Sequence, residues 1–99
     1  MTSMQVSLSV NDVPIALDYF VQGFIGHVVS GILAALKSIG EIETLDLSIE
    51  GDEVTINLND AVVPVNPFVT EITKNTIVGM VSALKGVSQI DRLKINIRT

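Results

Sequence analysis

The sequence QVSLSVND over residues 5–12 recurs as EVTINLND over residues 53–60, and the reading of this pair decides the fold. In each copy apolar and polar residues alternate, with Val6, Leu8 and Val10 in the first and Val54, Ile56 and Leu58 in the second. A period of two predicts a strand with one buried and one wet face. Each strand runs into Asn-Asp, a pair that terminates extended chain by bonding nearby backbone in an Asx-turn.

Working outward, the same ungapped offset of 48 residues holds over most of the chain. Val6, Asn11, Asp12, Phe20, Val21, Gly31, Ala35, Leu36, Lys37, Ile42, Leu45 and Ile49 each meet an identical residue. Twelve identities in one register imply an internal duplication, with pseudo-repeats over about residues 5–50 and 53–98 of a single domain, 1–99. After the first strand of each half comes a helix, roughly Tyr19 to Ile39 and Pro67 to Val87. Asp18 and Asn66 serve as helix caps, Pro67 sits at the first helical position, and Gly40 is a stop for the first helix. Thr44 to Glu50 and Arg92 to Arg98 alternate again, and Gly51-Asp52 joins the two middle strands as a tight hairpin.

The order β-α-β-β-α-β resembles the ferredoxin-like split βαβ arrangement. That resemblance implies an α+β domain with a four-stranded antiparallel sheet in the order 4-1-3-2 and two helices on one face. The strands over residues 5–10 and 53–59 would then lie central, side by side and in the same direction. Among domains of this order, acylphosphatases need an arginine after the first strand, and residues 11–17 have none; heavy-metal-binding domains need a cysteine pair, and the chain has no cysteine. Small-molecule sensor domains of the ACT type share the order by analogy of fold alone.

Composition narrows the function classes. Apolar residues make up 47% of the 99, aromatics only 4%, and the mean hydropathy of +0.53 is high for so small a domain, so a partner is expected to cover part of its surface. A net charge of −5 opposes binding to nucleic acid, whose affinity comes from clustered Lys and Arg. The amino terminus lacks a basic segment followed by an apolar one, and with no cysteine the expected location is cytoplasmic. Residues 19–36 carry no Asp, Glu, Lys or Arg and approach spanning length. The aligned stretch over residues 68–84 contains Glu71 and Lys74, so a helix packed on a sheet is expected and no membrane span.

At helical period the second helix places Val69, Ile72, Thr76, Ile77, Met80, Ala83, Leu84 and Val87 inward and Glu71, Lys74, Asn75, Ser82 and Lys85 outward. By the same register the first helix turns Val21, Phe24, Val28, Val29, Ile32, Ala35, Leu36 and Ile39 inward. Its outer face is then Gly23, Gly26, His27, Ser30 and Ala34, with Lys37 its only charge. Glycines inside a helix each cost about 1 kcal/mol relative to alanine, so something should offset them. The expectation is a homodimer through this face, with Phe20 and Leu33 flanking the seam. His27 has no second His or Cys as a co-ligand.

The remaining candidate chemistry is slight. If the first strands of the two halves are neighbours, Asp12 and Asp60 emerge together and could share a divalent cation through oxygen ligands. No phosphate-cradling glycine loop and no serine elbow is present, and no cofactor is implied. Glu41, Glu43, Asp46 and Glu50 read as a solvated loop and strand face. On the polar sheet face, Arg92, Lys94 and Arg98 are expected at one edge and Asp46 and Glu50 at the other, an arrangement that could pair with a twofold mate. The sequence points to a non-enzymatic, homodimeric binding or regulatory domain for a small ligand or protein partner. Alternatives are a small enzyme or cation-binding protein using Asp12 and Asp60, and a peripheral membrane protein using the first helix.

Overall fold

The computed structural model describes residues 5–37, 42–84, 87 and 89–99. Its elements are β1 (Gln5–Val10), β2 (Val13–Ile15), α1 (Tyr19–Lys37), β3 (Thr44–Glu50), β4 (Glu53–Leu58), β5 (Ala61–Val62), α2 (Pro67–Val81) and β6 (Arg92–Arg98). The expected stop at Gly40 lies outside the described residues. Helix α2 ends at Val81 rather than Val87, where the Ala83 and Leu84 amides bond back three residues to Met80 and Val81.

The class is α+β, but the sheet is not the four-stranded ferredoxin-like one. It has six strands, all antiparallel, in the order β2-β1-β6-β3-β4-β5. The strands expected at the centre, β1 and β4, are pushed outward, and β3 and β6 occupy the middle. The cause is the Asn-Asp pair. Asn11 and Asp12 have φ of 51° and 67°, and Asn59 and Asp60 have 49° and 66°. Positive φ at both central residues makes a type I′ turn, whose twist matches an antiparallel hairpin. Each first strand therefore folds back on itself instead of leading to its helix, with Val10 opposite Val13 and Leu58 opposite Ala61. The returning strand fills the outer edge, so the inner edge of β1 is left to pair with β6 and that of β4 to pair with β3.

The asparagine side chains fasten this order. Asn11 Oδ1 accepts from the amides of Asp91 and Arg92, both at 2.8 Å, while its Nδ2 donates to the Gln89 carbonyl. Asn59 Oδ1 accepts from Glu43 and Thr44 at 2.8 and 3.0 Å. Each turn thus clips the first residues of the central strand beside it, not its own backbone. The Gly51-Asp52 hairpin forms as expected, with Gly51 at φ +60° and Glu50 opposite Glu53.

Corresponding elements begin 48 residues apart, at 5 and 53, 13 and 61, 19 and 67, and 44 and 92. Leu47 and Ile95, also 48 apart, face each other at the middle of the β3–β6 pair. Because β6 lies between β1 and β3, and β3 between β6 and β4, neither half forms a continuous sheet alone.

One sheet face is apolar throughout. Val6, Leu8 and Val10 of β1, Leu45, Leu47 and Ile49 of β3, Val54, Ile56 and Leu58 of β4, and Leu93, Ile95 and Ile97 of β6 are all buried on it. Both helices cover this face, joining Ile25, Val29, Leu33, Ile77 and Val81 to the same core. Asp18 and Asn66 cap the helices, each accepting from the amide three residues on at 2.8 Å. Helix α2 lies across the strand ends: Lys74 reaches Asp52 in the β3–β4 turn, and Val78 borders a hollow with Ile49, Gly51 and Asp91. The molecule measures 35 × 33 × 19 Å, a slab of one sheet layer and one helix layer. Nothing among the described residues covers its second sheet face.

Candidate functional site

Asp12 and Asp60 do not meet. Between β1 and β4 stand β6 and β3, so the two turns lie about 14 Å apart across the sheet. Three successive antiparallel pairings also make β1 and β4 run in opposite directions, which sends the turns to opposite ends. Asp12 Oδ2 instead accepts from Arg92 Nη2 at 2.6 Å, with both side chains largely in water. Among the described residues no cluster of three His, Cys, Asp or Glu could hold a metal ion. A shared cation is incompatible with this strand order.

The first helix is rotated by about one residue from its expected setting. Its buried residues are Ile25, Gly26, Val29 and Leu33, with Gln22 and Leu36 half-buried beside them. Gly26 and Leu33, expected on the outer seam, are therefore inside, and Leu33 is 1% exposed. Ser30 is half-buried. Phe20, Gly23, His27 and Ala34 are outside as expected, and Phe24 and Ala35, expected inside, join them there. Tyr19 was not singled out and is the most exposed large side chain of the group, at 92%, against 74% for Phe20 and 49% for Phe24. In α2 the buried residues are Thr73, Ile77 and Val81, so Ile72 and Thr76, expected inside, face outward, and Ala83, expected inside the same helix, lies exposed beyond its end.

The outer face of α1 is thus an aromatic cluster continued by small uncharged residues. Phe20 and Phe24 sit one turn apart with ring centroids at 6.0 Å and planes tilted by 40°. Gly23 lies between them, and a Cβ added there would meet nothing within 4 Å. By length and composition Tyr19–Leu36 is long and apolar enough to cross a membrane, yet only 22% of it is buried in the fold. On its outward side Tyr19, Phe20 and Phe24 have no cover among the described residues. No family model, curated protein or solved structure matches the chain.

Outside α1, Val13, Val62, Phe68 and Ile72 are also exposed. A hollow of about 450 Å³ opens along the start of α2 between Asp52, Val65, Thr70, Glu71 and Lys74. Lys74 and Asp52 are paired across it. On the bare sheet face the expected separation of charges to opposite edges is not found. Arg92, Lys94 and Arg98 on β6 stand directly beside Asp46 and Glu50 on β3, because those two strands are the central pair. Glu43, Asp46 and Glu50 are in water, and Glu41 lies outside the described residues.

Proposed function

We propose that this chain is a non-enzymatic binding domain that works as a homodimer through the outer face of α1. The observation that carries the reading is the exposure of Tyr19, Phe20 and Phe24 on a helix without a charge from residue 19 to 36. Three such rings present on the order of 400 Å² of apolar surface. That is about half of what one partner contributes to a stable interface, and the open space at Gly23 lets a second helix come close. Lipid is the less favoured cover. Insertion across a bilayer would pull Ile25, Val29 and Leu33 out of the core, and the net charge of −5 opposes an anionic surface. The 48-residue spacing of the elements supports an origin by duplication.

The test is solution mass by light scattering on the native chain and on two matched variants, Phe20→Glu and Phe68→Glu. Phe68 is the counterpart of Phe20 in α2 and is 70% exposed. A native dimer that Phe20→Glu makes monomeric and Phe68→Glu leaves intact supports the α1 contact. A dimer indifferent to Phe20→Glu overturns it, as does a monomer whose cosedimentation with lipid vesicles is lost on that substitution.

A further inference from the structure

The bare sheet face carries opposite charges at equivalent positions of the two halves. Asp46 on β3 corresponds to Lys94 on β6, and Glu50 corresponds to Arg98. The face is therefore divided along its midline into an acidic half and a basic half. Among the described residues none of these four charges is held in an ion pair. Between them the side chains are short, and Asp46, Ser48, Asn57, Lys94 and Asn96 surround an open hollow of about 360 Å³.

We infer that this face is a second self-association surface, on which another copy sits about a twofold axis parallel to β3 and β6. That axis lays the second copy's β6 over β3 and its β3 over β6, so each basic row meets an acidic one. In the β3–β6 register Ser48 is opposite Lys94 and Thr44 is opposite Arg98. Lys94 of the second copy accordingly comes down over Ser48, into the hollow beside Asp46, and Arg98 of the second copy comes over Thr44, also beside Asp46. A twofold perpendicular to the strands would instead stack like charges on like. The slab's 35 × 33 Å outline leaves room for the roughly 800 Å² per partner that a stable contact covers. Aligned sheets pack face to face in this way about 10 Å apart.

The two contacts lie on opposite sides of the slab, so together they generate an open stack of dimers, not a closed ring. Their chemistry separates them. Exposed charges are screened within about 10 Å at 0.1 M salt, whereas apolar burial is not weakened by salt. The experiment is light scattering on the full chain at about 0.05 M and about 0.5 M salt, a range over which the screening length falls several-fold. Measurements on Lys94→Glu and on Arg98→Glu accompany it. The expected result is a low-salt mass at least twice the high-salt mass and its loss in each variant, since each puts an acidic side chain over the acidic row of the second copy. Lys94 is exposed, and an unchanged circular dichroism spectrum shows the fold intact. A mass that ignores both salt and Lys94→Glu overturns the sheet contact while leaving the α1 dimer standing. A monomer at high salt that becomes a dimer at low salt supports the sheet contact and overturns the α1 one.

Discussion

Helices α1 and α2 hold equivalent places and bury equivalent positions, Ile25, Val29 and Leu33 in one and Thr73, Ile77 and Val81 in the other. Facing outward they diverge in part: Gly23, His27 and Ala34 in α1 stand where α2 has Glu71 and Asn75 and its C-cap has Ser82. The inner set answers to the sheet, which offers both helices the same apolar surface. The outer set answers to nothing within the fold: both helices expose large apolar side chains at their starts, Phe20 and Phe24 in α1 and Phe68 and Ile72 in α2, and only the outward positions around these set the helices apart. Comparing the two separates what the architecture demands from what an outside partner would demand.

The largest expected effect breaks the comparison at its inner face. Leu33→Ala removes a side chain that is 1% exposed and should cost about 2–5 kcal/mol in urea unfolding. The neighbouring Ala34→Ser should change stability by no more than about 0.5 kcal/mol. Near-equal effects at the two positions would mean that α1 is turned the other way, with Leu33 at the surface.

A smaller effect, of opposite sign, sharpens the comparison at the one inner position where the helices differ in polarity. Thr73 occupies the station of Ile25, is 1% exposed, and its Oγ1 has no hydrogen-bond partner among the described residues. A buried hydroxyl left unpaired costs about 1–3 kcal/mol. Thr73→Val keeps the shape and should raise stability by about 1 kcal/mol, read as a higher urea midpoint at constant slope. Destabilisation would show that the hydroxyl has a partner, most simply a trapped water.

Much of the fold was legible. Strict alternation in β1, β3, β4 and β6 identified the strands and their buried faces, and Gly51-Asp52 marked its hairpin. Strand order was not, because alternation says which side is buried and not which strand lies alongside. The Asn-Asp pairs fit a strand end as well as a type I′ hairpin, and β2 and β5 are too short to announce themselves. Pro14 in β2 also argues against a strand, although an edge strand tolerates proline. The setting of α1 was illegible for a different reason: a helix apolar nearly all round has no unique inner face. The α2 control misled as well, since Thr73 at the centre of its inner face carries a hydroxyl. An exposed apolar face does lie on α1, turned by one residue, with Tyr19 and Phe24 outward in place of Gly26 and Leu33.

The smallest expected effect lies where α2 has Lys74 and α1 has Gly26. Lys74 Nζ donates to Asp52 Oδ1 in the β3–β4 turn, and that hydrogen bond, with the lysine charge, holds the Asp52 carboxyl below its ordinary value of 3.8. A carboxyl depressed on folding contributes stability that is present above its unfolded value and is lost as the pH falls through the lower, folded one. The contribution is slight, because the Asp52 side chain is 96% exposed and water screens the pair. Thermal midpoints of the native chain and Asp52→Asn should therefore differ a little at neutral pH and converge below about pH 4, where the free carboxyl protonates. Every other carboxylate is common to both proteins and cancels in the difference. Midpoints separated by the same amount across the whole range would mean that Lys74 does not engage Asp52 in solution, and that α2 differs from α1 at this position in charge alone.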